Sequence, residues 1–181
     1  IEIRSRLPFV TRPDENSKTG NGYRVKSLYL DNYNDKVLKE KINGVNDREK
    51  FRLRLYNNDP SFIRLEKKSK KNSISYKESC ILTEQECRRL LDGDLAVLRE
   101  KDDQLCLELY AKMHDQQLRP KSIVDYMREA YIYSAGNVRI TMDYDIRTSL
   151  NIYDFLDPQP VPIPVGGIYI LEVKYDNFLP E

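Results

Sequence analysis

Four cationic side chains occupy alternate positions of one short run, namely Arg48, Lys50, Arg52 and Arg54. The apolar residues that alternate with them are Phe51, Leu53 and Leu55. Because a strand turns successive side chains to opposite faces, this run predicts a strand with one cationic face and one apolar face. Like charges held side by side repel one another, so the row indicates a place where an anion compensates them.

Phosphate chains are the anions that suit such a row best. An arginine presents a planar fork that matches phosphate oxygens, and a lysine presents a compact point charge. Two unit charges about 4 Å apart interact by about 4 kcal/mol at the effective dielectric of a protein surface. Several cations in one row therefore predict tight binding of a chain of phosphoanhydrides.

Two carboxylates fall on strands of the same mixed character and are each followed two residues later by a lysine. These pairs are Glu66 with Lys68, and Glu172 with Lys174. A carboxylate among lysines can balance their charge, or it can hold a divalent cation, since hard oxygen ligands suit Mg²⁺ and Mn²⁺. The sequence leaves both roles open.

The charge is unevenly distributed along a chain whose formal net charge is only +1. Residues 48–71 carry nine Lys/Arg against three Asp/Glu, whereas residues 84–116 carry nine Asp/Glu against five Lys/Arg. Broad binding to nucleic acid requires an extended basic surface. The distribution therefore predicts a compact anion site and no nucleic-acid partner.

Other chemistries find little support in the sequence. No GxxxxGK[ST] loop is present, and Ser27 and Thr141 lack a paired base for nucleophilic catalysis. The single histidine, His114, is expected on the surface of a helix. The three cysteines are odd in number and form no CxxC pair, which predicts reduced thiols and a cytoplasmic location. With only one histidine in the chain, they predict no zinc site. The length of 181 residues fits one domain.

Hydrophobic periodicity predicts strands, then helices, then strands again. A helix is expected over Ile1–Val10, stopped by Pro8, with further helices over 35–42, over 83–93 from a Thr83–Glu86 capping box, and over Leu95–Leu118. The predicted strands are 24–31, 48–56, 62–70, 74–82, 122–133, 139–147 and 168–175. The pattern favours a sheet curled so that its charged face becomes a lumen and its apolar face meets the helices. The alternative is a sheet with a solvated charged face.

Seven segments, in order and at plausible spacing, resemble the vacuolar transporter chaperone (VTC) domain of the triphosphate tunnel superfamily. They are Ser27-Leu-Tyr-Leu-Asp31, Asn43 to Tyr56, Leu65-Glu-Lys-Lys68, Ser75-Tyr-Lys77, Tyr126-Met-Arg-Glu-Ala130, Arg139-Ile-Thr-Met-Asp143 and Leu171-Glu-Val-Lys174. The stretch from Asn43 to Tyr56 is more similar to bacterial members. The resemblance implies an α+β fold, an antiparallel β-barrel forming a tunnel, with helices packed on its outside.

The resemblance also implies an activity and its residues. It implies a polyphosphate polymerase that moves the γ-phosphate of ATP onto a growing chain with Mn²⁺ or Mg²⁺. The residues that match the family's catalytic cations are Arg52, Arg54, Lys68, Lys77 and Arg128. Further substrate-binding residues are expected at Lys41, Arg48, Lys50, Arg139 and Lys174, and metal ligands at Glu172 and Glu66.

Two departures from the family pattern bear on the extent of the domain. Residues 1–181 are expected to form a single VTC-like domain that lacks the family's first strand and its C-terminal lysine-bearing segment. A membrane partner of the family type is not visible in this chain. The alternatives to a polymerase are an oligophosphate-binding module without turnover, a triphosphate hydrolase, or a plain structural domain. Hydrolytic members of the superfamily carry a Glu-x-Glu-x-Lys opening strand, which this sequence does not contain.

Overall fold

The computed structural model of the chain describes residues 2–17 and 22–176. The helices are α1 (Glu2–Val10), α2 (Lys36–Ile42), α3 (Glu84–Leu91), α4 (Ala96–Glu100) and α5 (Gln104–Asp115). The strands are β1 (Arg12–Pro13), β2 (Tyr23–Asp31), β3 (Arg48–Tyr56), β4 (Asp59–Lys71), β5 (Ile74–Leu82), β6 (Arg119–Tyr133), β7 (Val138–Ser149), β8 (Ile163–Pro164) and β9 (Ile170–Lys174). Short 3-10 helices lie at Glu15–Ser17, Ala135–Asn137 and Ile152–Phe155.

All nine strands belong to one antiparallel sheet. Its order is β5-β4-β3-β2-β6-β7-β8, with β1 paired to β6 and β9 paired to β7. The predicted α+β class and antiparallel sheet are thus confirmed. Within residues 2–17 and 22–176 the sheet is not closed, because no pairing joins β5 to the other end of the path.

Backbone contacts divide the chain into two compact units. The first unit comprises residues 1–25, 125–147 and 163–181, and the second comprises residues 26–124 and 148–162. The prediction of one domain over residues 1–181 stays a prediction.

The second unit is built around the apolar face of β3 and β4. Phe51, Leu53, Leu55, Ile63 and Leu65 are almost completely buried in one hydrophobic cluster. The helices α3, α4 and α5 supply the other side of that cluster, chiefly through leucines. The apolar face of β3 therefore packs against helices, as its alternating sequence predicts.

The first unit contains α1 and the pairing of β9 with β7. In α1, Leu7 is buried and Arg4 forms an ion pair with the carboxylate of Glu129 on β6. All five residues of β9 are exposed. Thus β9 rests on its hydrogen bonds to β7 rather than on burial of its side chains.

Two helix predictions were wrong in detail. The single helix predicted over Leu95–Leu118 is two helices, because Asp102 adopts a left-handed backbone conformation with φ 51° and Asp103 then caps α5. Pro8, predicted to stop α1, lies inside it, and the helix continues to Val10.

In the part of the chain that the structure describes, no helix has the length and hydropathy needed to cross a bilayer.

The predicted capping box at the start of α3 is confirmed and gives a stability test. The Thr83 side chain accepts the N–H of Glu86, and the Glu86 carboxylate accepts the N–H of Thr83. We expect Thr83→Ala to lower the free energy of unfolding by about 1 kcal/mol, since the cap is lost. Thr83→Ser, which keeps the hydroxyl, is the control in urea titrations, and an equal loss in both variants would contradict the capping role.

Candidate anion-binding site

One face of β3, β4 and β5 gathers most of the cations that the sequence places on these strands. The register pairs Lys50 with Lys68 and Lys68 with Lys77, so three lysines form a row across the sheet. The cations of this face are Arg48, Lys50, Arg52, Arg54, Arg64, Lys68, Lys70 and Lys77. We call this set the cationic face. Of the paired positions of β3, β4 and β5 that the structure describes, Glu66 alone contributes a carboxylate to the cationic face.

The lysine row is the part of the cationic face that the sequence does not show directly. Side chains directly opposite each other in neighbouring strands lie about 5 Å apart, and like charges in such pairs are destabilising. Lys50 and Lys68 are half-buried and Lys77 is exposed, so the row can be reached by an anion. A polyanion laid across the strands would contact all three lysines.

Glu66 organises the buried part of the cationic face. Its carboxylate is completely buried, and Arg52 donates to Oε2 at 2.7 Å from Nε and lies 2.6 Å from the same oxygen through Nη2. The other oxygen, Oε1, lies 2.6 Å from Lys77 Nζ. Arg54 approaches Oε2 at 4.0 Å and donates from Nε to Ser27 Oγ at 3.0 Å. One carboxylate thus holds cations from β3 and β5.

The pKa of Glu66 depends on these neighbouring cations. Burial by itself raises the pKa of the carboxyl group, but the hydrogen bond from Lys77 and the charges of Arg52 and Arg54 outweigh it. The result is a pKa lowered from 4.5 to about 2. The group is therefore ionised whenever the protein is near neutral pH.

Tyr29 is a member of this site that the sequence interpretation missed. Its hydroxyl accepts from Arg52 at 3.4 Å, and Lys50 Nζ lies 5.7 Å from the centre of its ring. Burial alone raises the pKa of the phenol, but the charges of Arg52, Lys50 and Arg54 lower it overall. A signal was available, since Tyr29 alternates with Ser27 on β2 opposite the apolar face.

The remaining predicted cations near β3 lie toward the start of that strand. Burial lowers the pKa of the Lys50 ammonium, and the nearby charges of Arg52, Lys41 and Arg48 lower it further. Arg48 donates to the carbonyl oxygen of Val45 at 2.6 Å. Lys41 is exposed on α2. These groups therefore add positive potential at the edge of the cationic face.

The first unit holds the other predicted site residues, among them Arg128. Arg128 forms a bidentate pair with Asp143, from Nε to Oδ1 at 2.6 Å and from Nη2 to Oδ2 at 2.7 Å. Its guanidinium also lies 5.2 Å from the ring centre of Tyr126. Gly22 makes room here, because a Cβ at this residue would lie 2.7 Å from the Arg128 carbonyl oxygen, and its φ is +71°.

Glu172 and Lys174 lie on β9 opposite residues of β7. The register places Glu172 across from Thr141 and Lys174 across from Arg139. Lys174 Nζ is 3.5 Å from a carboxylate oxygen of Glu172, and both side chains are about half exposed. Arg139 donates to Asp14 at 3.0 Å. Glu172 therefore offers a carboxylate that solvent can reach.

The structure thus brings Arg52, Arg54, Glu66 and Lys77 into direct contact and aligns Lys50 and Lys68 beside them. Asp143 accepts a hydrogen bond from Arg128, and Asp14 accepts one from Arg139. The sequence did not predict either partner. His114 is exposed at the end of α5, as expected.

Comparison with known proteins gives the family and the fold. The family model of the VTC domain matches residues 1–181. No curated protein sequence matches the chain. A solved candidate adenylate cyclase from Bacillus halodurans is similar in structure, with 13% identity, a TM-score of 0.51, and coverage of 95% of this chain and 70% of that protein. A candidate adenylyl cyclase from Hippeastrum, in which triphosphatase activity is dominant, shows 11% identity, a TM-score of 0.40, and coverage of 77% and 70%.

The Glu66 network makes a prediction for stability against pH. Because the pKa of Glu66 is depressed on folding, its contribution is present above about pH 4.5 and is lost as the pH falls toward about 2. We expect Glu66→Gln to lose roughly 3 kcal/mol at pH 7, since two cations lose their counter-charge. The variant should also lose part of the dependence of unfolding free energy on pH between these values.

Glu78→Gln on β5 is the matched control, because Glu78 is half exposed and lies 3.4 Å from Lys67 on the opposite face. Its effect should stay within about 0.5 kcal/mol, as for an ordinary surface change. Equal losses in the two variants, measured by urea unfolding from pH 2 to pH 7, would contradict the role given to Glu66.

Proposed function

Since the chain belongs to the VTC domain family, we propose that it is a polyphosphate polymerase, which transfers the γ-phosphate of ATP onto a growing polyphosphate chain. The observation that carries the proposal is the cationic face, where eight cations share one face with the single carboxylate Glu66 at the described paired positions of β3, β4 and β5. Glu66 cannot neutralise them all. An excess of fixed positive charge on one face suits a ligand with one charge per repeating unit.

The phosphates would be bound by two sets of cations. Arg52 and Arg54 are held in place by Glu66 and Ser27, so their guanidinium groups are ordered before the ligand arrives. Ordered donors lose less entropy on binding than free ones. Lys68 and Lys77, which are less buried, would follow the chain across the strands as point charges.

The first unit carries its own candidate phosphate-binding residues. We assign phosphate contacts to Arg128, Arg139 and Lys174, on the resemblance of their positions to the family pattern. Asp143 and Asp14 would orient the two arginines, because Asp143 accepts a hydrogen bond from Arg128 at 2.6 Å and Asp14 accepts one from Arg139 at 3.0 Å. Lys41, Arg48 and Lys50 would attract the anion before it is bound.

The two candidate metal ligands differ in their surroundings. Both oxygens of Glu66 already contact cations, which favours its role as a charge balancer. Glu172 is about half exposed and its carboxylate contacts only Lys174 among the described residues, at 3.5 Å. A hard carboxylate oxygen of this kind fits Mn²⁺ or Mg²⁺, so we assign the metal to Glu172. A bound divalent ion would neutralise the developing charge on the phosphate oxygens.

The reaction places few chemical demands on the protein. The acceptor is the terminal oxygen of the phosphate chain, which is ionised at neutral pH and needs no base. The transferred group moves from the ATP β-phosphate oxygen to that acceptor, and ADP leaves. Positioning and charge neutralisation by the arginines and lysines would supply most of the rate enhancement.

We propose that the protein acts in the cytoplasm. The three cysteines, free in the structure, agree with a cytoplasmic location, where ATP is abundant. A membrane partner that takes up the product remains a family-based proposal.

The activity is tested by incubating the protein with ATP and Mn²⁺ and separating the products on a gel. We expect long phosphate chains together with ADP, and Lys68→Gln should reduce the rate by at least tenfold because one cation of the row is lost. Lys71→Gln is the matched control, since Lys71 is an exposed lysine on the other face of the same strand. Release of inorganic phosphate without chains would favour a hydrolase, and triphosphate binding without turnover would favour a binding module.

A second variant tests the metal assignment. Glu172→Gln should abolish metal-dependent turnover and leave the affinity for inorganic triphosphate, measured by calorimetry without metal, within about threefold, because the phosphate-binding cations are retained. Glu78→Gln, a carboxylate of similar exposure, is expected to keep full activity. Unchanged turnover in Glu172→Gln would exclude the metal role.

A further inference from the structure

Two cysteines from separate elements meet on the helical side of the second unit. Cys80 lies on β5 and Cys106 lies on α5, and their sulfur atoms are 3.3 Å apart. The carboxylate of Asp103 joins them, with the candidate ligand atoms of all three residues within 4.8 Å of one another. We call these three residues the thiol cluster.

The thiol cluster is separate from the cationic face. The register pairs Cys80 with Leu65 and Ser79 with Glu66, so Cys80 points to the apolar face that the helices cover. Cys106 is completely buried within the hydrophobic cluster. The phosphate-binding cations lie on the opposite face of the same strands, so the thiol cluster has no place in the proposed reaction.

The carboxylate of Asp103 is positioned before any ligand binds. Its Oδ1 accepts the backbone N–H of Leu105 at 2.9 Å and that of Cys106 at 3.1 Å, which caps α5. Both of these hydrogen bonds end on Oδ1, so Oδ2 takes no part in the cap. The left-handed backbone of Asp102 breaks the helix just before this point and turns the chain toward the cluster.

We propose that the thiol cluster is a zinc site, with Cys80, Cys106 and Asp103 as three ligands and water as the fourth. Two thiolates and a carboxylate form a donor set that suits Zn²⁺ better than Mg²⁺ or Ca²⁺, which prefer oxygen alone. Cys80 and Asp103 are half-buried, so a water molecule can reach the fourth position. Binding releases the two thiol protons to solvent, and the divalent ion compensates the negative charge of the ligands.

The bound ion would link two elements of the fold. The ligands join β5 to the first turn of α5, two elements whose packing is otherwise apolar. A site that forms only in the folded chain stabilises the fold by its binding free energy. The expectation of no zinc site was based on the single histidine of the chain. The sequence does not show this cluster, because the two cysteines lie 26 residues apart and meet only on folding.

The test uses the reduced protein after removal of metals with a chelator. We expect one equivalent of Zn²⁺ to bind in competition with a chromophoric chelator, and Co²⁺ to give a thiolate charge-transfer band with the visible bands of tetrahedral cobalt. Cys80→Ser should weaken Zn²⁺ binding at least tenfold. Cys87→Ser is the matched control, because Cys87 is a buried thiol of the same hydrophobic cluster that lies outside the thiol cluster.

If Cys80→Ser does not fold, Asp103→Asn tests Zn²⁺ binding in its place, because asparagine keeps the helix cap but removes the charge. It too should weaken Zn²⁺ binding at least tenfold. Zinc should raise the melting temperature of the wild-type protein and of Cys87→Ser. The proposal is overturned if no equivalent binds, if the folded Cys80→Ser and Asp103→Asn variants bind as the wild type does, or if glutathione disulfide links Cys80 to Cys106 and no cobalt band is seen.

Discussion

The contact between Glu66 and its cations is the interaction on which the proposed site depends. A buried carboxylate is costly unless it is paired, and buried arginines are equally costly without an anion. Arg52 donates a hydrogen bond to one oxygen of Glu66, Lys77 Nζ lies 2.6 Å from the other, and this pairing lowers the pKa of the group to about 2. At the described paired positions of β3, β4 and β5, this one negative charge faces eight positive ones. That surplus is what an oligophosphate would neutralise.

The opposite face of the same strands explains how such a surplus is tolerated. Phe51, Leu53 and Leu65 are buried beneath the helices and hold β3 and β4 in one register. Like charges opposed across strands cost only fractions of a kcal/mol to about 1 kcal/mol per pair, whereas burial of one large apolar side chain contributes about 1.5–3 kcal/mol. The apolar face therefore outweighs the repulsion on the cationic face. A binding surface is maintained by packing on its reverse side.

The fold was predictable where the hydrophobic pattern is regular. The bounds of β3 and β5 agree with the predicted strands, and the capping box at Thr83 marks the start of α3. Prediction failed where backbone conformation decides, since Asp102 takes a positive φ that apolar periodicity does not reveal. It failed also for partners distant in sequence, such as Asp143 for Arg128 and Asp103 for Cys80 and Cys106.

By itself the sequence determined the kind of chemistry and the faces of the strands. Alternation places Arg48 to Arg54 on one side of β3 whatever that strand pairs with, because successive side chains point to opposite faces. Only the tertiary structure decided which cations stand beside one another. The register of β4 against β3 and β5 aligned Lys50, Lys68 and Lys77, and it placed Glu66 between Arg52 and Lys77. A shift of one residue would have turned each of these side chains to the other face, so the site exists only in the observed register.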